Sequence, residues 1–510
     1  MNFPRQRSRE TIDFSDDRFY FLLLLGLALL VALFMGQLIL DLHKNFLTTE
    51  CDTAAFQSAI VNSMHGKWFR DTAFDGPNLL GLHTTFVLLL VAPLYALYPS
   101  PDFLTVLQLA CVYSTVIPLY FVALEMLKKP AAAFAVAGTA LVSPFFQNLA
   151  FAPFHPETWI AAAVLWSYFF YLRRNTIGFW VSFGLAVICG EQAALIYLAL
   201  GVALFAFDDG LAWRRTYGLW ALAGGIGWLL LATLVIFPLM RAPGQHNLIA
   251  YHFANWKIQS LPELPLAVMK DPLAAIQDLF SLSRWTHLLA LVGAPLLLAP
   301  FSWRSLVLLA VFPPYFLMSE QEFYLLFHAY FFQFAWLAGC FGLIALLRRW
   351  EIGGRAGLTI ISITLLLNAL LLCASYGTYA VVNGENEDAV NAQVRSALAL
   401  IPKEAGVYGP HRYSEFLSDR QNMVMGDLAE SNLDFKAMLD SRFATTDVHP
   451  EEIDYIVCDF VNDQCGWRRA GYDPNDMRQR KQNVNALLKS GEWQLCYRNF
   501  DIAILKRANK

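Results

Sequence analysis

Charged residues are scarce in this chain of 510 residues, where Asp, Glu, Lys and Arg together make up 15%. The formal net charge is −4, and no basic stripe is concentrated enough to follow a phosphate backbone, which argues against nucleic acid as a partner. The sequence also lacks a Walker loop, a dinucleotide-binding glycine pattern, HExxH and GxSxG. These absences argue against ATP-driven transport, soluble cofactors and serine hydrolysis.

Apolar residues dominate instead: 57% of the chain is hydrophobic, and its mean hydropathy is +0.43. Several runs are long and uncharged enough to cross a bilayer, which takes about 20 apolar residues. Aromatic residues make up 15% of the chain, with 14 Trp and 40 Phe, as is typical of proteins that meet the membrane interface. The composition therefore predicts an α-helical polytopic membrane protein.

The distribution of Lys and Arg predicts the topology, because cytoplasmic loops carry an excess of both residues. Three arginines in the first ten residues place the N-terminus inside, and the apolar run 19–42 has no cleavage site after it, which indicates an anchor. Segment 84–98 is short and broken by Pro93, and a span there would put later basic clusters outside, so a re-entrant or juxtamembrane helix is predicted. About eleven spans of the inner, cytoplasmic membrane follow from this choice. They are 19–42, 102–127, 130–149, 158–172, 176–190, 192–207, 217–240, 285–300, 305–318, 323–347 and 356–382.

The last part of the chain, 383–510, changes character and is predicted to be a small soluble α/β domain after the transmembrane domain, 1–382. By the parity of the spans it lies outside the cell membrane, on the same face as the first outer loop, 43–101. Cys458 and Cys465 could close a disulfide in an oxidising compartment. The predicted elements of this domain are a helix at 388–401, strands at 406–408 and 453–460, and a strand pair at 492–507 that turns at Asn499.

The first long polar interval follows the first span and mixes ionisable residues with aromatic ones. Ionisable groups held at a membrane surface beside apolar side chains suggest a functional site. An ordinary interfacial loop with snorkelling side chains is the alternative. The residues concerned are Asp52, Asp71, Asp75, His65 and His83, interleaved with Phe56, Trp68, Phe69 and Phe74.

Asp52 is the candidate general base of this interval. A partly desolvated carboxylate there would have a pKa raised towards the working pH and could deprotonate a hydroxyl acceptor brought from outside. Alternatively, Asp52 is the N-cap of a helix that begins with TAAFQSAIVNSM, since Asp is favoured at that position.

The turn FAPFHPETW, 151–159, holds a second candidate pair. Pro153 and Pro156 restrict the backbone, so that His155 and Glu157 are held at the membrane face. A histidine and a glutamate two residues apart can bind a metal or position a phosphate-bearing ligand, so a divalent metal stays open as a cofactor. Alternatively, the charge of Glu157 stabilises the N-terminus of the following helix.

Glu191 interrupts the apolar stretch ICGEQAAL. A lone carboxylate at that depth is costly unless it is paired or solvated, so Glu191 is either functional or a loop residue exposed to water. The same alternatives apply to Glu320, Glu322 and His328.

Four segments carry a resemblance to a family of bacterial and archaeal membrane proteins called domain of unknown function 2079, and through it to the GT-C glycosyltransferase superfamily. Their sequences are DTAAFQSAIVNSMHG (52–66), GPNLLGLHTTFVLLLVAPLYALYPSP (76–101), FHPE (154–157) and GEQAAL (190–195). GT-C enzymes pass a sugar from a polyprenyl-phosphate donor to an acceptor on the outer face. The resemblance implies a GT-C-like fold and a lipid-linked sugar transferase with Asp52 as the base.

The chain departs from the family pattern at two positions, Gln57 and Gln192, where the family carries acids. If either acid binds a metal in the family, that function is in doubt here.

The implied mechanism places a polyprenyl tail between the spans of the lipid bilayer, with its phosphate at the outer rim. Asp52 deprotonates the hydroxyl of a cell-envelope acceptor, which displaces the phosphate from the anomeric carbon in one inverting step. Only one base is needed, because the phosphate leaves without strong acid help. Arg241, Lys257, Lys270 or Arg284 neutralises the phosphate, and His83 or His155 adds hydrogen bonds. The substrate-binding residues predicted in this way are His83, His155, Glu157, Glu191, Arg241 and Arg284.

Two other classes of protein fit parts of the same pattern. A transporter or lipid flippase would use Glu191 and His155 as intramembrane sites, although the chain shows no paired halves. A membrane-anchored assembly protein would use only its outer domain. The transferase hypothesis requires the distant acids and imidazoles to converge around a single cavity at the outer face of the bilayer.

Overall fold

The computed structural model describes most of the chain. The described residues are 14–47, 51–74, 76–152, 154–206, 212–243, 245, 247–260, 263–319, 329–349, 355–372, 388–428, 446–460, 474–499 and 501–508. The described elements between residues 14 and 372 are helices, as the apolar runs predict. The helices of this part are α1 (Phe14–Lys44), α2 (Cys51–Met64), α3 (Leu88–Tyr95), α4 (Pro101–Ser114), α5 (Val116–Leu127), α6 (Pro130–Leu141), α7 (Pro144–Phe151), α8 (Ile160–Leu172), α9 (Thr176–Cys189), α10 (Gln192–Ala206), α11 (Ala212–Leu231), α12 (Phe237–Met240), α13 (Leu248–His252), α14 (Leu264–Lys270), α15 (Pro272–Leu279), α16 (Leu282–Val292), α17 (Pro295–Leu298), α18 (Trp303–Leu309), α19 (Phe312–Phe316), α20 (Gln333–Arg349) and α21 (Arg355–Leu372).

Three helical stretches in the described part of the chain are long and apolar enough to cross a membrane: Arg18–Lys44, Pro101–Leu127 and Ala212–Met240. Two bent pairs also qualify if each counts as one span. The chain bends by 47° between α6 and α7, and by 109° between Pro272–Val292 and Pro295–Phe301. Proline begins the second helix of each pair, where its missing N–H costs no hydrogen bond.

Several predicted spans correspond to helices too short to cross a bilayer alone. The segments predicted at 158–172, 176–190 and 192–207 are α8, α9 and α10, of 13, 14 and 15 residues. The segment predicted to be re-entrant or juxtamembrane contains α3, of only eight residues, with Pro93 inside it. The count of about eleven spans therefore stays a prediction.

A five-stranded sheet follows in the C-terminal part. Its order is β2-β1-β3-β5-β4, with β1 parallel to β2 and β3, and with β5 antiparallel to β3 and β4. Helices α22 (Asp388–Leu398), α23 (Ser414–Leu417) and α24 (Pro474–Lys489) accompany it. The strands are β1 (Gly406–Gly409), β2 (Met423–Met425), β3 (Ile453–Asp459), β4 (Trp493–Arg498) and β5 (Ile502–Arg507).

The predicted strands at 406–408, 453–460 and 492–507 are all observed, whereas β2 was not predicted because three residues carry too little pattern. Cys458 is buried in β3. Its predicted disulfide partner, Cys465, lies outside the described residues, so the bridge stays a prediction.

The sheet lies against the first polar loop. The amide of Met425 donates to the carbonyl of Ala73 at 3.1 Å, and the amide of Met423 donates to Thr72 Oγ1 at 3.1 Å. Arg70 donates to the carbonyl of Gln421 at 3.2 Å. Loop residues thus cover the edge strand β2, and the C-terminal sheet contacts the loop that follows α2.

Candidate active site

Five ionisable side chains form one continuous series of contacts, which we call the acid–imidazole chain: Asp52, His155, Glu157, His83 and Glu191. His155 Nε2 lies 3.4 Å from Asp52 Oδ2, and His155 Nδ1 lies 3.6 Å from Glu157 Oε2. His83 Nδ1 lies 3.8 Å from Glu157 Oε1 and 3.3 Å from Glu191 Oε1. The structure thus brings together residues that the sequence presents in four separate segments: 52–66, 76–101, 154–157 and 190–195.

Asp52 lies inside the first turn of α2, one residue after the helix begins at Cys51. The N-cap alternative for Asp52 was therefore wrong: the helix starts earlier than TAAFQSAIVNSM. Its charge still favours the helix N-terminus. The next residue, Thr53, accepts a hydrogen bond from the amide of Phe154 at 2.9 Å, which holds the FHPE turn beside Asp52.

Two buried glutamines hold the main chain of that turn. Gln108 accepts from the amide of His155 at 2.6 Å and donates to the carbonyl of Ala152 at 2.9 Å. Gln333 donates to the carbonyl of Glu157 at 2.6 Å and accepts from the amide of Ala161 at 2.7 Å. Sequence reasoning missed both residues. The signal that could have found them is a glutamine inside an otherwise apolar run. A buried amide is costly unless its hydrogen bonds are satisfied.

Glu191 lies at the end of the acid–imidazole chain opposite Asp52, where Thr84 holds its carboxylate. Its Oε2 accepts from the amide of Thr84 at 3.1 Å and from the hydroxyl of Thr84 at 3.3 Å, while Oε1 faces His83. Gly190 leaves the room that this arrangement needs, because a Cβ there would lie 2.9 Å from Glu157 Cγ. The carboxylates of Glu157 and Glu191 can therefore share one imidazole.

The ends of the acid–imidazole chain are accessible, whereas its middle is buried. The side chains of His155 and Glu157 are 4% and 2% exposed. Those of Asp52, His83 and Glu191 are 37%, 25% and 24% exposed. A ligand can therefore reach Asp52 at one end and the pair of His83 and Glu191 at the other.

The carboxylates keep both imidazoles protonated. Burial lowers the pKa of His155, but the hydrogen bonds and charges of Asp52 and Glu157 outweigh burial and raise that pKa to about 9. Burial likewise lowers the pKa of His83, and Glu191, Glu157 and Asp52 together raise it to about 9. Burial raises the pKa of Glu191, but the contact with His83 outweighs it and lowers that pKa. Three acids share two imidazoles, so one acid is left in excess.

The thermal stability of the protein is expected to fall as the pH rises from about 6.5 to about 9. Both histidines have an ordinary pKa of 6.5 and a folded pKa of about 9, so their contribution is complete below 6.5 and lost above 9. Melting temperatures measured across this window test the expectation. The variant His155→Gln should show a shallower decline, and an equally steep decline in that variant would contradict the assignment.

The predicted cations have different surroundings. Arg241 Nε donates to the carbonyl of Gly81 at 3.2 Å, two residues before His83. Arg284 donates to Asp278 at 3.0 Å and to the carbonyls of Phe316 and Met318. These contacts place Arg241 against the segment that leads to His83 and hold Arg284 against Asp278 and main-chain carbonyls.

The remaining predicted residues lie elsewhere or serve the fold. Lys257 and Lys270 line a separate cavity of about 460 Å³. Asp71 accepts from the amide of Ala73 at 2.8 Å, and the exposed His65 lies 2.8 Å from the carbonyl of Val61 through Nδ1. Four of the predicted residues fall outside the described part of the chain: Asp75, Glu320, Glu322 and His328.

The acid–imidazole chain does not fit a divalent metal. Within the described residues, no three His, Cys, Asp or Glu side chains are arranged to hold one ion. Both ring nitrogens of His155 face carboxylates, so neither offers a lone pair to a metal. Gln57, at a position where the resemblance implies an acid, donates to the hydroxyl of Tyr95 at 2.9 Å.

Comparison with known proteins adds a family and a fold. No curated protein matches the sequence. The crystal structure of ArnT from Cupriavidus metallidurans bound to undecaprenyl phosphate is similar with a TM-score of 0.51 and 13% identity, over 96% of this chain and 98% of that one. The apo crystal structure of ArnT from the same organism gives a TM-score of 0.46 at 14% identity, over 96% of this chain and 98% of that one.

The likeness to the first ArnT structure shows a shared fold and agrees with the GT-C-like architecture that the sequence predicts. The family described as predicted membrane protein (DUF2079) matches residues 42–503, which include every residue of the acid–imidazole chain. The chain therefore belongs to the DUF2079 family of predicted membrane proteins.

Proposed function

We propose that this protein is a membrane glycosyltransferase that moves a sugar from a polyprenyl-phosphate donor to an acceptor hydroxyl, with Asp52 as the general base. The observation that carries the proposal is the acid–imidazole chain, which presents an oriented and accessible carboxylate at one end. The similar crystal structure of ArnT supports the proposal, because that protein is bound to undecaprenyl phosphate. The reaction takes place on the extracytoplasmic side, with the N-terminus in the cytoplasm and the C-terminal domain outside.

In the proposed reaction Asp52 removes the proton of the acceptor hydroxyl. The oxygen then attacks the anomeric carbon, the bond from that carbon to the phosphate oxygen breaks, and the configuration inverts. His155 orients Asp52, since it lies 3.4 Å away and is itself held by Glu157. Asp52 is 37% exposed, so orientation by His155 adds to the partial desolvation that the sequence suggested for this base.

Arg241 is proposed to neutralise the phosphate of the donor. It follows directly on the apolar stretch Ala212–Met240, along which a lipid tail can lie, and it contacts the segment that leads to His83. A guanidinium at that position can form two hydrogen bonds with phosphate oxygens.

The direct test incubates the purified protein with radiolabelled polyprenyl-phosphate sugars and a cell-envelope extract. At least one donor is expected to lose its label to an acceptor in a protein-dependent manner. If no donor in a panel of hexose and pentose derivatives loses label beyond the protein-free control, the proposal fails.

The variant Gly190→Ala is expected to lower the transfer rate by about tenfold with only modest destabilisation, about 1–3 kcal/mol. The added Cβ would lie 2.9 Å from Glu157 Cγ and would push that side chain away from the two histidines. Gly184→Ala is the matched control in the preceding helix, because its Cβ meets nothing within 4 Å. Equal rates for both variants in the transfer assay would show that the position of Glu157 is unimportant.

A further inference from the structure

His83 occupies the end of the acid–imidazole chain opposite Asp52, and the established contacts leave one of its nitrogens available. Both carboxylate contacts of the ring are made by Nδ1, to Glu191 at 3.3 Å and to Glu157 at 3.8 Å. The side chain is 25% exposed, so Nε2 is the nitrogen that a ligand can reach. A protonated imidazole with a free N–H is a donor suited to an anion.

The surroundings of His83 indicate which part of the substrate lies there. Arg241 is hydrogen-bonded to Gly81, two residues earlier in the same segment. Glu191 also lies at this end, but its two oxygens are engaged by His83 Nδ1 and by the amide and hydroxyl of Thr84. Asp52, by contrast, is the most accessible carboxylate of the acid–imidazole chain and would repel a phosphate. The two ends therefore differ in their preference: an acceptor hydroxyl suits the Asp52 end, and the phosphate of the donor suits the end with His83 and Arg241.

The middle of the chain couples the two ends. Each carboxylate oxygen of Glu157 faces a different imidazole, His155 at 3.6 Å and His83 at 3.8 Å. Phe56 is buried against both rings, with centroid distances of 5.4 Å to His155 and 6.3 Å to His83. Because His155 and Glu157 are buried and shielded from water, a change of charge at one end acts strongly on the other.

We propose that His83 is a second catalytic residue, the general acid that protonates the departing phosphate while Asp52 takes the proton of the acceptor. This assignment departs from the expectation that the phosphate leaves without strong acid help. This assignment rests on the proposed function and deepens it. The acceptor O–H bond breaks and its proton goes to Asp52, while the acceptor oxygen bonds to the anomeric carbon. The bond from that carbon to the phosphate oxygen breaks, the electron pair stays on that oxygen, and the oxygen receives the Nε2 proton of His83.

The total charge of the acid–imidazole chain is the same before and after this step, since one end gains the proton that the other end loses. A buried network changes its net charge only at high cost, so the arrangement favours a reaction that leaves the charge unchanged. Both ends are accessible and regain their starting protonation from water between turnovers. Glu157 is a positioning residue in this scheme, because it touches both imidazoles and no substrate.

The variant His83→Gln tests the general acid. Gln keeps a hydrogen-bond donor but has no proton to give, so the rate of transfer at neutral pH is expected to fall by about a hundredfold. The rate of the wild-type protein should also decline as the pH rises through about 9, where His83 loses its proton. His83→Gln should show a weaker decline, since only His155 then still loses a proton in that range. The groups that face His83 are Glu157, Glu191 and, through its charge, Asp52.

The variant Glu157→Gln adds a second measurement, the pH dependence of the rate, which a merely structural role of His83 would leave unchanged. Removing the anion that holds the proton on His83 should shift the alkaline decline of the rate to lower pH. His65→Gln is the control, a histidine of the same loop that lies against the carbonyl of Val61 and should keep both rate and pH profile. A wild-type rate in His83→Gln, or an unchanged alkaline decline in that variant, overturns the assignment of His83 while Asp52 stays the base. Absence of transfer by the wild-type protein overturns the proposed function, and with it this assignment.

Discussion

Replacement of Asp52 by Asn is expected to abolish sugar transfer and to leave the protein folded in the membrane. Asn matches the size of Asp but cannot accept the proton of the acceptor hydroxyl, and loss of a general base typically costs a factor of about 10² to 10⁴. The side chain is 37% exposed and lies at one end of the acid–imidazole chain, so the buried pair behind it keeps its own contact. The transfer assay with a radiolabelled donor measures the loss.

Asp41→Asn is the control for this substitution. Asp41 is an exposed carboxylate near the end of α1, where it accepts from Gln37 at 3.0 Å and pairs with Lys44 at 3.9 Å. Its replacement should leave the rate unchanged. Full turnover by a well-folded Asp52→Asn protein would rule out Asp52 as the base.

Replacement of Glu157 by Leu is expected to cost both activity and stability. Glu157 is the anion shared by His155 and His83, and removing one partner of a buried ion pair typically destabilises a protein by about 3–5 kcal/mol. The histidines would then lose protons more readily, and His155 would no longer hold Asp52. We expect a clear drop in melting temperature together with a loss of transfer below detection.

Glu125→Leu separates this effect from the general cost of losing a paired acid. Glu125 also has two cationic partners, Lys128 at 2.7 Å and Arg173 at 3.2 Å, but both partners are more than half exposed. Surface pairs of this kind contribute about 0–1 kcal/mol. Melting curves of the two variants, followed by tryptophan fluorescence, give the comparison. A similar small shift in melting temperature for both would show that the charge of Glu157 between the two histidines does not stabilise the fold.

These expectations divide the residues of the acid–imidazole chain into two groups. Asp52 and His83 are the groups that substrates reach, whereas His155, Glu157 and Glu191 set their orientation and protonation. The predicted substrate-binding roles of His155, Glu157 and Glu191 therefore become positioning roles in our proposal. Gln108 and Gln333 belong to the same support, because they hold the main chain of the FHPE turn.

The sequence by itself determined the class of protein, the positions of many helices and strands, and the motifs that matter. Apolar runs fix helices such as α9 and α10 because the transfer of each side chain into an apolar environment depends on that residue and its near neighbours. The strand patterns at 453–460 and 492–507 were readable for the same reason. Carboxylates and histidines in apolar surroundings were visible as exceptions, which is how Asp52, Glu157 and Glu191 were found.

Only the tertiary structure decided which of these groups meet. His83 contacts Glu191 from 108 positions away, and the amide of Phe154 reaches Thr53 from 101 positions away. No local period encodes such pairs, since they depend on how helices pack and on where a glycine such as Gly190 permits close approach. The same packing decided that Arg284 binds main-chain carbonyls while Arg241 adjoins the segment of His83. Physically, side-chain burial is a local preference, whereas the pairing of charges is a property of the assembled fold.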